Sequence, residues 1–145
     1  MKNANGTKLT EGTHYTVTYA SGRKNVGTYK VTIKMKGNYS GTKTLTFKIV
    51  PKANSVSKLT AKTKALEVKV TKQTTQTSGY QIMYSTSKKF TSYKTTNITS
   101  PKTTTKTISG LKAKTTYYVK VRSYKTVNGT KIYSAWSSVK YMKTK

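Results

Sequence analysis

The chain has no cysteine, no aspartate and only two glutamates, Glu11 and Glu67, in 145 residues. Without thiols, neither a disulfide framework nor a thiolate zinc site can form. A single histidine, His14, is the only other side chain suited to acid–base or metal chemistry near neutral pH. Glycoside hydrolysis needs two carboxylates at a set separation, and a triad or a three-ligand metal site needs more His and acid than are present. The expectation is a chain that is not an enzyme and holds no cofactor and no metal. No apolar run approaches the roughly 18 residues of a membrane-spanning helix, so no membrane span is expected. The opening Met1-Lys2-Asn3-Ala4-Asn5-Gly6 is polar, unlike a signal peptide, and reads as a processed or excised piece of something larger.

What is present is positive charge and a period of two. Lys and Arg number 29, the net charge is +27, and hydrophobic residues make up 33%. Tyr15, Val17 and Tyr19 alternate with Thr16 and Thr18. Tyr29, Val31, Ile33 and Met35 alternate with Lys30, Thr32, Lys34 and Lys36, and Leu45, Phe47 and Ile49 with Thr44, Thr46 and Lys48. Strict alternation sends one set of side chains to a core and the other to water. Thr and Tyr add to the signal because branched and aromatic side chains suit a pleated surface. The pattern resumes at Leu66, Val68 and Val70, at Tyr80, Ile82 and Tyr84, and at Tyr117, Val119 and Val121. No helical stripe is visible. The predicted fold class is all-β, an antiparallel β-sandwich with an N-terminal three-stranded partial unit.

Pro51 cannot donate to a sheet ladder and favours extended backbone before it, which ends the preceding strand. It sets the expected boundary, residues 1–51 and 52–145. About 50 residues with three strands and no disulfide or metal can hardly bury a core alone. The first segment is therefore expected to dock on the second, to pair with another copy as a strand-swapped homodimer, or to be half of a unit whose earlier strands are missing. The last of these is the favoured reading.

Gly79-Tyr80-Gln81-Ile82-Met83-Tyr84-Ser85 resembles the third strand of a fibronectin type III domain. Leu111-Lys112-Ala113-Lys114-Thr115-Thr116-Tyr117, running on into Val121, resembles that family's tyrosine corner and sixth strand. The resemblance implies that Tyr117 is the corner tyrosine, with its ring in the core beside Leu111. Tyr133-Ser134-Ala135-Trp136-Ser137-Ser138 resembles the last strand of bacterial members, and also the Trp-Ser-x-Trp-Ser box of cytokine receptors with Tyr133 in place of the first Trp. That box implies a cation stack of Arg122 on Trp136. Two departures are Val70, where the family has Trp, and Ala113, where the corner usually has Pro. In the first segment, Leu9-Thr10-Glu11-Gly12-Thr13-His14-Tyr15 and Gly37-Asn38-Tyr39-Ser40-Gly41-Thr42 are similar to the second half of Ig-like repeats in surface proteins of Gram-positive gut bacteria. The resemblance implies a secreted or cell-wall-associated protein built from serial modules.

Individual residues add little chemistry. Glu67, between Leu66 and Val68, is expected in a surface ion pair, and His14 as an exposed strand residue. All basic residues except Arg23 and Arg122 are Lys. Lys acts as a point charge where Arg reads phosphate bidentately. Lys30, Lys34, Lys36, Lys69, Lys120 and Lys140 fall on outward phases and describe a charged coat rather than one groove. Cell-wall or host polyanions should bind such a coat through counterion release. Specific nucleic-acid recognition is not expected, since neither a reading helix nor an aromatic platform is visible. Tyr118 and Tyr141 are expected on the outer phase, and Gln73 to Ser78 as a polar, mobile loop. The function read from this is a non-catalytic extracellular module for spacing, adhesion or polyanion binding at a bacterial surface. The alternative is a released fibronectin type III ligand that engages a host surface receptor.

Overall fold

The computed structural model describes all of residues 1–145, and every regular element in it is a β-strand. The chain divides into two units, Met1–Ile49 and Val50–Lys145.

In the first unit, β1 (Tyr15–Tyr19), β2 (Gly27–Met35) and β3 (Thr42–Ile49) form one antiparallel sheet in the order β1-β2-β3. The register pairs apolar with apolar: Val17 faces Ile33, Val31 faces Leu45, and Tyr29 faces Phe47. The opposite phase pairs Thr18 with Thr32 and Thr32 with Thr44. The alternation thus sorts the side chains onto two faces, but it does not bury the apolar set. Tyr19 is 50% and Leu45 45% exposed. Tyr15 and Tyr29 are half-buried, and the buried hydrophobics of this unit are Leu9 and Val26, both outside the strands. A sheet needs a second layer to close a core, and this unit supplies none of its own. His14 precedes β1 and is half-buried, not an exposed strand residue: its Nδ1 accepts the Thr10 N–H at 2.9 Å and its ring meets Tyr39 edge-on at 5.6 Å.

The second unit is a two-sheet sandwich. Strands β4 (Val56–Lys62), β5 (Ala65–Val70) and β8 (Thr105–Ser109) make one sheet, in the order β4-β5-β8. The other runs β10 (Thr130–Tyr133), β9 (Thr116–Val127), β6 (Gly79–Ser85), β7 (Lys94–Ile98), and β11 (Lys140–Lys143) also pairs with β9. Leu66, Val68 and Val70 from one sheet meet Tyr80, Ile82, Val119 and Val121 from the other, all 2% exposed or less. Each such side chain contributes about 1.5–3 kcal/mol. Asn128 and Gly129, both at positive φ (48° and 77°), close the β9–β10 hairpin, as a two-residue turn of type I′ requires.

Two hydroxyls anchor loops to this core. The Tyr80 hydroxyl accepts the Gln73 N–H at 2.8 Å and lies 2.9 and 2.8 Å from the carbonyls of Gln73 and Pro101. The Gln73–Ser78 segment is therefore tethered, with Thr77 buried, rather than the loose loop its composition suggests. The Tyr117 hydroxyl accepts the Lys112 N–H at 3.1 Å, five residues upstream, while its ring packs on Tyr84 beside buried Leu111.

Candidate functional site

Tyr118, Lys120, Arg122 and Tyr124 alternate with the core residues of β9 and so project from the outer face of its sheet. Opposite them in register stand Ser85, Met83, Gln81 and Gly79. The absent side chain of Gly79 makes room for the Tyr124 ring: a Cβ there would lie 2.7 Å from the Tyr124 hydroxyl and 2.2 Å from the Ile98 carbonyl oxygen. Tyr124 is consequently 3% exposed although it sits on the outward phase. Burial pushes its hydroxyl pKa above the ordinary value, with Tyr133 adding to the shift.

The segment from Tyr133 to Ser138 lies along the same strand with a period of three. Tyr133 and Trp136 turn over the outer face, Ser134 and Ser137 turn to the β9 backbone, and Ala135 and Ser138 are exposed or nearly so. Beyond Tyr133, the last residue of β10, the chain is in no strand until Lys140, so regular pairing does not complete the ladder there. The serines repair this. Ser137 N–H donates to the Val121 carbonyl at 2.8 Å, and the Ser137 hydroxyl accepts the Val121 N–H at 3.0 Å.

The result is a stack of alternating rings and cations. Arg122 lies 3.7 Å from the Tyr133 ring centroid and 4.3 Å from that of Trp136. Lys120 follows, 5.3 Å from Trp136 and 4.1 Å from Phe90. Gln81 Oε1 fixes the guanidinium by accepting from its Nε at 2.9 Å and its Nη2 at 2.7 Å. Burial lowers the Arg122 pKa, and the neighbouring Tyr133 and Tyr93 hydroxyls oppose that shift. Each cation–ring contact contributes about 0.5–2 kcal/mol, so the arrangement clamps β9 to the segment that carries Tyr133 and Trp136 and leaves its cations engaged. Sequence reasoning reaches Arg122 and Trp136 but misses Gln81, Phe90 and the two serines.

The six lysines of the expected coat differ in circumstance. Lys30, Lys34 and Lys69 are exposed with free outward phases. Lys36 spends its ammonium on the Gly12 carbonyl at 2.9 Å. Lys120 is half-buried within the stack. Lys140 reaches the Ser57 carbonyl on β4 at 3.4 Å. Glu67 pairs with Lys62 at 2.6 Å, the one ion pair of the chain. That hydrogen bond and the Lys62 charge hold the Glu67 carboxyl below its ordinary pKa. Tyr118 is half-buried against Tyr141, which is 69% exposed. No three His, Cys, Asp or Glu residues come together. An open cleft of about 210 Å³ lies between Tyr84, Tyr93, Lys94, Leu111 and Lys112, smaller than ligand pockets commonly are.

No family model and no curated protein matches the chain. Solved structures do. The FN1–FN3 domains of chicken CNTN1 superpose with a TM-score of 0.53 at 17% identity, over 83% of this chain. Domains A168–A170 of titin superpose with a TM-score of 0.52 at 17% identity, over 99% of it. The fold is that of fibronectin type III and Ig-like modules. The chain spans about half the length of those structures, 43% and 52% respectively. The strand order of the second unit is that of a fibronectin type III sandwich, and Tyr117 occupies a tyrosine corner by geometry.

Proposed function

We propose that this chain is a non-catalytic extracellular module of a bacterial surface or secreted protein, serving spacing and adhesion, and that its lysines attract polyanions of the wall or the host. One observation carries the reading: a net charge of +27 is accompanied by a single ion pair, so the charge is displayed rather than neutralised. Lysines on several strands, with cations also stacked on rings, suit a scaffold better than a cleft that turns over substrate. The resemblance of both segments to modules of serially built surface proteins supports the same location.

Binding to purified Gram-positive cell walls, before and after extraction of their anionic polymer, tests the proposal. Retention that disappears with the polymer and weakens steeply with salt supports it. Equal retention on extracted walls contradicts it. Saturable, salt-resistant binding to one purified host receptor replaces it with the released-ligand reading.

A further inference from the structure

Three polar sheet faces of the chain treat their cations differently. On β9 and β6 the cations are held by rings and by Gln81. On β4 and β5, Lys58, Lys62 and Lys69 share their face with Glu67, which pairs with Lys62. On the first unit's sheet, Lys30, Lys34 and Lys48 are exposed among threonines, with no carboxylate or aromatic ring between Thr16 and Lys48 on that phase. Each of these lysines stands opposite a threonine: Lys30 faces Thr46, Lys34 faces Thr42, and Lys48 faces Thr28. At about 3.4 Å per residue, the three ammonium stems are spread over roughly 20 Å along the strands.

Resting on the polyanion reading above, we propose that this Lys30–Lys34–Lys48 face is where the polyanion lies, and that its ligand is a linear, base-free chain of phosphate groups. Compact ammonium charges suit phosphate as point charges without the planar fork of Arg. Threonine hydroxyls add donors that a flexible chain can reach from successive phosphates. The missing aromatic platform removes what would hold a nucleic-acid strand by stacking.

The experiment measures binding of inorganic polyphosphate to the full chain, to K30Q/K34Q/K48Q and to the matched control K58Q/K62Q/K69Q, across a salt series. The expected result is a loss of about tenfold or more at low salt for the first variant, with a salt slope shallower by about 2 units, and a markedly smaller loss for the control. All substituted lysines are exposed, and thermal melts of both variants verify folding. Equal losses in the two variants overturn the assignment to this face while leaving polyanion binding intact. Absence of binding by the unaltered chain overturns the polyanion reading itself. Tighter binding of heparin than of polyphosphate at matched charge overturns the choice of phosphate, and tighter binding of oligo(dT) overturns the choice of a base-free chain.

Discussion

Ser134 meets Ser123 through backbone and side chain at once. Its N–H donates to the Ser123 carbonyl at 3.0 Å, and its hydroxyl accepts the Ser123 N–H at 3.0 Å. Three residues on, Ser137 repeats the exchange with Val121. A hydroxyl thus stands in for a backbone acceptor twice, and this lets a period-three segment close the edge of a period-two sheet.

Ser134→Ala leaves the Ser123 N–H without an acceptor in a site that is 0% exposed. The expected cost is about 1–3 kcal/mol, larger than for Ser137→Ala, because Ser134 is itself buried whereas Ser137 is half-buried. Urea unfolding should show a lower midpoint with an unchanged slope. An unchanged midpoint would mean that the serines are incidental.

Arg122→Lys keeps the charge but loses the fork that Gln81 reads. It should cost about 1–3 kcal/mol, and Trp136→Ala should lower stability while leaving polyanion affinity unchanged. If Trp136→Ala instead weakens binding with stability intact, the stack is a recognition surface.

Gly79→Ala places a methyl group 2.2 Å from a backbone oxygen. Overpacking of this kind costs about 1–3 kcal/mol or more. Truncating Tyr124 in the same chain should not rescue it, because the nearer obstacle is the Ile98 carbonyl. Rescue, read from the melting temperature, would contradict the packing described.

Acid should do little. Glu67 has a lowered pKa in the folded chain, so its contribution is present above the unfolded value near 4.5 and is lost as pH falls through the folded one. The pair is exposed and the only other carboxylate side chain is Glu11, so the loss is small. Melting temperature at constant ionic strength should stay nearly flat from about pH 5 to about pH 3, and Glu67→Gln should remove most of the remaining slope. A steep acid transition would contradict this.

The strands were legible because Leu66, Val68, Val70, Tyr80, Ile82, Val119 and Val121 alternate without interruption, and period two leaves one solution for a two-sheet core. Tyr117 and the Asn128-Gly129 turn were legible because each carries a local signature. The alternation of Tyr15 to Tyr19 and Thr42 to Ile49 fixes faces but says nothing about whether a second layer covers them, so the exposure of Tyr19 and Leu45 could not be read from it. Lys120 looks like any outward lysine, because its engagement depends on Phe90, thirty positions away in sequence. Tyr124 has the phase of a surface residue, and only its register against Gly79 buries it.

The displayed positive charge is tested most directly by the affinity of the unaltered chain for inorganic polyphosphate over a series of salt concentrations. The expected result is a straight fall of log affinity with log salt, its slope set by the number of lysines engaged. Affinity independent of salt, or no binding at the lowest salt, would contradict it.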